Sequence, residues 1–353
     1  MNPSLVALAS HLPPWGGGGL SVVLLSRVRA VRNLSGEPFP GSASEEQQLA
    51  MRARTYGALA DWAAGNSFFF WLLEELTVPE RNFFWERHIA GSDFAKGPFR
   101  TGVALFEESS LSFRLNDGEH LKFACLLPGL EVFRAYERVD AADSALSQRL
   151  NFAFDGKRGF LTADPSDMGT GLRVSLLLFL PALAALGKIE QVAHAVQLLG
   201  CTFGGLFGPG SSSESCIFQV HNRMTLGESE ETILRRLVGI GEALVEQESA
   251  ARDGLEKSFS DRVPDRMARV IALLHSARVM SLQESLVLLG QARLAACLGY
   301  LAGEFLEKID ELLTAVLPTH LQMRHGEWVS ESAQEQLRAQ LLRQTFAGAQ
   351  LLR

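Results

Sequence analysis

Cysteine is scarce. The four in 353 residues, Cys125, Cys201, Cys216 and Cys297, stand far apart with no CxxC pair. That excludes a zinc knuckle and a disulfide framework, and it fits a reducing cytosol. Long hydrophobic runs are missing too. The most apolar stretch, residues 174–186, is too short to span a bilayer, contains Pro181 and is flanked by Arg173 and Lys188. It reads as a buried helix or a strand-to-helix segment, with no membrane span. The N-terminal MNPSLVALASHLPP has no basic region ahead of its apolar run, so no secretory signal is read there. No G-x-S-x-G elbow supports serine hydrolysis, and no GK[ST] follows a glycine loop as a Walker motif requires. No His/Cys/Asp cluster has metal-ligand spacing. The net charge of −7 argues against a general nucleic-acid binder.

What is present is core-forming sequence. At 47% hydrophobic and 21% charged, the chain can bury a large interior, and its length exceeds one average domain. Residues 21–25 are apolar and strand-like. Residues 44–64 open with Ser and Glu and continue with helical periodicity. Residues 68–78 read as a second apolar helix. Period-two alternation over 110–115 and 121–126, around Asn116-Asp117-Gly118, predicts paired antiparallel strands. Residues 131–149 return to helix, 160–162 and 216–220 read as short strands, 184–199 as helix, and 203–210 is glycine-rich. From about residue 228 the spacing is helical throughout, over 228–257, 264–277, 281–300, 303–317 and 331–345. Segregation of strands and helices predicts an α+β fold. The expected division is a mixed domain over 20–255 and a small helical domain over 260–353.

Two features bear on chemistry. Arg27 and Arg29 sit at i and i+2, so on a strand both point to one face, with Arg32 at i+5. Guanidinium forks so placed can clamp a polyphosphate; a solvated basic edge is the other reading. The loop Gly169-Thr170-Gly171 before Arg173 could bring N–H groups and a guanidinium to phosphate, although a lone GxG is a weak signal. His88 and His120, taken singly, read as structural.

Read together, several segments carry a resemblance. Residues 26–33 (SRVRAVRN), Glu86-Arg87-His88, residues 116–122 (NDGEHLK), residues 161–173 (LTADPSDMGTGLR) and residues 218–231 (FQVHNRMTLGESEE) occur in the order of the ATP:guanidino phosphotransferases. They resemble the bacterial protein arginine kinases more than creatine or arginine kinase. The resemblance covers about residues 20–345. It implies a curved antiparallel sheet flanked by helices, with ATP across it, followed by an all-α C-terminal domain. It also implies transfer of the γ-phosphoryl group of Mg-ATP to a protein arginine in the cytoplasm. Such transfer relies on charge neutralisation, in-line alignment and carboxylates that hold the guanidinium.

By position, Arg27, Arg29, His88 and Arg173 match the family's nucleotide contacts. Lys122 replaces an arginine, keeping the charge and losing the fork. Gly204 replaces another arginine. Gly118 and Pro209 stand where the family has its two glutamates, Asp164 where it has cysteine, and Asp167 where it has asparagine. Losing a positioned base typically costs about 10²- to 10⁴-fold, and losing one charge-stabilising donor about 10²- to 10³-fold. The reading is a degenerate kinase with weakened or absent transfer and a binding or regulatory role. The alternative is an active protein arginine phosphotransferase with a rearranged acceptor site, in which Asp164, Glu119 or Glu214 supplies the missing carboxylate. In the helical tail, Gln334 and Glu335 replace an Arg-Asp pair that binds phosphoarginine in the family, so residues 331–345 read as an ordinary amphipathic helix. The resemblance further implies a homodimer, a protein arginine substrate or partner, a small zinc-binding activator and the Clp machinery. No resident metal site is expected.

Overall fold

The computed structural model describes residues 1–11, 21–63, 67–97, 100–106, 110–206, 215–258 and 262–352. An N-terminal helix, α1 (Pro3–Ser10), is capped by the Asn2 side chain, which accepts the N–H groups of Ser4 and Leu5. One sheet contains β1 (Val23–Arg32), β2 (Phe69–Leu72), β3 (Gly102–Phe106), β4 (Leu111–Leu115) and β5 (Leu121–Pro128). Two short strands, β6 (Phe154–Asp155) and β7 (Gly159–Phe160), pair apart from it. The large sheet is completed by β8 (Leu172–Phe179), β9 (Cys201–Gly205) and β10 (Ile217–Asn222), in the order β2-β3-β4-β5-β1-β8-β10-β9. Strands β2 to β5 form an antiparallel meander. The alternating segments pair as their period predicts, Leu115 opposite Leu121 and Arg114 opposite Lys122.

The sheet is covered by helices. Ser44 begins α2 (Glu45–Trp62) with a capping box completed by Gln47. Trp62, at its end, reaches the rings of Phe106 and Phe113 at 5.4 and 5.6 Å, and Phe113 stacks on Phe123 across the strand pair. The helix expected over residues 68–78 is not there. The chain forms β2, a 3-10 turn at Leu73–Glu75 and the start of α3 (Val78–Glu86). Phe69, Phe70 and Trp71 are aromatic residues suited to a pleated surface, and pairing with β3 decides the segment. The α4 helix (Val132–Ser147) follows the meander. The 174–186 stretch takes its strand-to-helix form: β8 runs into α5 (Pro181–Ala185), with Pro181 in the first turn where its missing N–H costs nothing.

The remaining helices are α6 (Ile189–Leu198), α7 (Glu230–Ser258), α8 (Arg262–Ser276), α9 (Leu282–Cys297), α10 (Phe305–Ala315), α11 (Pro318–His325) and α12 (Glu331–Thr345). The chain groups into two compact units. One contains Met1–Leu25, Leu177–Val220 and Ile240–Arg353; the other contains Ser26–Leu176 and His221–Gly239. Within the first, Glu248 of α7 accepts the N–H groups of Ala182 and Leu183, each at 3.0 Å, satisfying the open end of α5. Among the described residues, no helix is long and apolar enough to cross a membrane.

Candidate functional site

Five neighbouring strands contribute side chains, all from residues of the second unit, to one basic row. In spatial order these are Arg114 on β4, Lys122 on β5, Arg27 and Arg29 on β1, Arg173 on β8 and His221 on β10. Period-two geometry sorts the arginines of β1. Arg27 and Arg29 are its two partly exposed residues, whereas Arg32 is buried. The Arg32 guanidinium donates to both carboxylate oxygens of Asp143 and lies 3.4 Å from the Phe160 ring centroid, so it is part of the core.

Five cations in this row are met by two carboxylates. Asp167 bridges two arginines: Arg29 Nη2 lies 2.5 Å from one oxygen and Arg173 Nη2 2.8 Å from the other. Asp117 pairs with Arg114 and, at 3.6 Å, with Lys122. Burial and the charges of Arg114, Arg29 and Arg173 push the Arg27 pKa well below the arginine range. Burial likewise lowers Lys122, against the pull of Asp117. His88 is lowered to about 4 by burial and Arg27, and His221 to about 4 by burial and Arg173, Arg29 and Arg27. Both imidazoles are therefore neutral at pH 7. The Nε atoms of Arg27, Arg29 and Arg173 are buried with no hydrogen-bond acceptor among the described residues. Buried donors of this kind carry a desolvation cost that an anionic ligand would offset.

The loop beside the row is held from below by Glu119. Only 1% exposed, this residue accepts the N–H groups of Ala163 (2.9 Å) and Asp164 (3.0 Å) and the amide of Asn33 (2.5 Å). His120 is also structural: Nδ1 accepts the N–H of Leu34 and Nε2 donates to the Pro38 carbonyl. Asp164 is exposed, and its carboxylate accepts the N–H of Ser166 at 2.9 Å. Burial opposes its ionisation, but the Ser166 hydrogen bonds and the charge of Arg173 hold it below the usual carboxylate range.

Sequence-predicted residues thus divide. Arg27, Arg29, Lys122 and Arg173 come together, and His88 lies close enough to Arg27 to feel its charge. Glu119 and Asp164 lie at the adjoining loop, where the Glu119 carboxylate accepts the main-chain N–H of Asp164. Gly118 has φ +71°, and a Cβ built there would stand 3.5 Å from Lys122 Nζ, so position 118 faces the row without a carboxylate. Gly204 belongs to β9 of the first unit. Pro209 and Glu214 lie outside the described residues. Arg338 in α12 is 3% exposed and donates to the carbonyls of Val316 and Met280, as a core arginine does. Sequence reasoning did not single out Arg114, His221 or the bridging role of Asp167. Arg114 could have been found, because it shares the alternating face of Lys122. Among the described residues, no group of three or more His, Cys, Asp or Glu side chains could hold a metal.

Comparison with known proteins bears on this arrangement. Residues 51–251 match the ATP:guanido phosphotransferase C-terminal catalytic domain, and residues 260–351 match the protein-arginine kinase McsB C-terminal domain. A protein-arginine kinase of Moorella thermoacetica is 35% identical over 335 residues, covering 94% of this chain and 96% of that protein. One of Halalkalibacterium halodurans is 31% identical over 341 residues, covering 95% and 96%. A crystal structure of lombricine kinase superposes with a TM-score of 0.58 at 21% identity, covering 70% of this chain and 71% of that one, a likeness of fold.

Proposed function

The chain belongs to the protein-arginine kinase family of ATP:guanidino phosphotransferases, and from that premise we propose that it binds Mg-ATP but transfers the γ-phosphoryl group weakly or not at all, serving a binding or regulatory role toward protein arginine. Arg27, Arg29, Lys122 and Arg173 would hold the phosphates, with neutral His88 beside them. The partnerless Nε donors of three of these arginines support the fit. When bound, the metal supplies charge neutralisation at the phosphate oxygens.

One observation carries the weakened-transfer half of this reading. Position 118 is glycine, and both acidic neighbours are already engaged. Asp117 is ion-paired with Arg114 and Lys122, and Glu119 is buried under three donors. An acceptor guanidinium must be oriented and must give up a proton, and neither residue offers a free carboxylate for that work. The alternative, a kinase with a rearranged acceptor site, is favoured by Asp164 alone. Its exposed carboxylate is held anionic within the electrostatic reach of Arg173.

The discriminating experiment incubates purified protein with γ-labelled Mg-ATP and an arginine-rich unfolded protein, then measures acid-labile label, with Arg173→Ala as the contamination control. Binding heat with Mg-ATP and no label supports the proposal. Label that disappears in Arg173→Ala overturns it, and loss of that label in Asp164→Ala would then identify the rearranged acceptor.

A further inference from the structure

We propose that Asp167 is a built-in counter-anion that occupies one phosphate position of the arginine row, weakens polyphosphate binding and tilts the site from nucleoside triphosphate toward nucleoside diphosphate. The inference rests on the reading of that row as a phosphate site. It adds a residue that sets which phosphate chain the site prefers.

The geometry is that of an anion already bound. Each Asp167 oxygen faces a different guanidinium, Arg29 at 2.5 Å and Arg173 at 2.8 Å, and the side chain is only 3% exposed. A carboxylate presents two oxygens to arginine forks much as a phosphoryl group does. A ligand phosphate approaching Arg29 and Arg173 therefore competes with Asp167 for the same donors. Arg173 is further committed, since its Nη2 also donates to Ser166 Oγ at 2.9 Å.

The main chain that carries the carboxylate is pinned. Asp167 ends the 3-10 turn Pro165–Asp167, and its N–H donates to the Asp164 carbonyl at 3.0 Å. The next residues are pinned as well. The Met168 carbonyl accepts Thr225 Oγ1 at 2.6 Å, and the main chains of Gly169 and Phe160 exchange hydrogen bonds at 2.7 and 3.2 Å. Releasing Arg29 and Arg173 would mean breaking both ion pairs of a side chain that is only 3% exposed. The cations left for a ligand are Arg27, whose Nε has no acceptor, and the pair Arg114 and Lys122, which share Asp117. A shorter phosphate chain that leans on those groups loses less to Asp167 than a longer one that also needs Arg29 and Arg173.

The test is calorimetric titration of the full chain with ADP and with ATP, with and without Mg²⁺, in the wild type, Asp167→Asn and Asp167→Ala. Asn keeps the shape and removes the charge. A charge-assisted hydrogen-bond pair at stake predicts ATP affinity rising about ten- to a hundredfold in Asp167→Asn, with ADP rising less, so that the ADP-to-ATP preference falls. Asp167→Ala should move the same way, which separates charge from side-chain packing, and thermal melts verify that each variant folds. Unchanged or weaker ATP binding in folded variants, with ADP still bound by the wild type, overturns the role of Asp167 and leaves the proposed function standing. Failure of every protein to bind either nucleotide overturns both.

Discussion

The carboxylate of Glu119 accepts the main-chain N–H of Asp164 at 3.0 Å, so the loop residue with the exposed carboxylate is held by the turn residue just before β5. With Ala163 and Asn33 also donating to it, Glu119 serves three buried or half-buried N–H groups. Glu119→Gln keeps the size but turns one acceptor oxygen into a donor. At least one of those N–H groups is then left opposite an NH₂. We expect a loss of about 1–3 kcal/mol, the cost of an unmet buried donor. Denaturant unfolding of the variant checks this, and an unchanged midpoint would refute the anchoring role.

The same loop depends on a residue without a side chain. Gly169 has φ +113°, and a Cβ built there would lie 2.6 Å from the Thr225 carbonyl oxygen and 2.8 Å from Leu226 Cα. Both obstacles are backbone and cannot rotate away. Gly169→Ala is expected to cost roughly 1–3 kcal/mol from the backbone conformation alone, with the steric clash in addition. A melting curve checks this, and a variant as stable as the wild type would show that the loop yields more readily than its hydrogen bonds indicate.

How far the sequence could be read depended on the range of the interaction. The strand pair β4–β5 and the turn at Asn116-Asp117-Gly118 were legible because alternation and turn chemistry are local signals. The capping box at Ser44 was legible for the same reason. Residues 68–78 misled because an aromatic run suits strand or helix, and the deciding contact, Phe69 opposite Leu105, is remote in sequence. Arg27, Arg29 and Arg173 were legible as cations in recognisable segments. The Asp167 bridge was not, since 138 residues separate it from Arg29 and nothing local to either residue specifies the pairing. His221 was hidden because one histidine in a strand carries no signal until its neighbours are known.

Those histidines make stability depend on pH. His88 and His221 are ordinary at 6.5 when unfolded and lowered to about 4 when folded, so the unfolded chain binds their protons more tightly. Their contribution to stability is complete above about pH 6.5 and is lost as pH falls toward 4, with a slope of at most about 1.4 kcal/mol per pH unit for each. His221→Asn should flatten the slope in that window while leaving stability at pH 8 less affected. Unfolding free energies measured from pH 8 to 4.5 check this, and parallel curves for variant and wild type would contradict it.

A buried charge pair offers the sharpest test of packing in the first unit. Arg293 on α9 is fully buried. Its Nε donates to Asp310 Oδ1 of α10 at 2.8 Å, its Nη1 donates to the Ser21 carbonyl at 3.1 Å, and its guanidinium lies 4.7 Å from the Phe179 ring. Burial raises the Asp310 pKa against the pull of Arg293, which reflects how little water reaches the pair. Removing one partner leaves the other charged and unsatisfied, so Asp310→Ala should destabilise by about 3–5 kcal/mol. Replacing both by apolar residues of similar volume removes the desolvation cost along with the attraction. The double variant Arg293→Met with Asp310→Leu should therefore be much more stable than Asp310→Ala, despite carrying one more substitution. Chemical unfolding of the wild type, Asp310→Ala and the double variant decides it: a double variant no more stable than Asp310→Ala would mean that the pair contributes net stability, and recovery would mean that its cost lies in being broken.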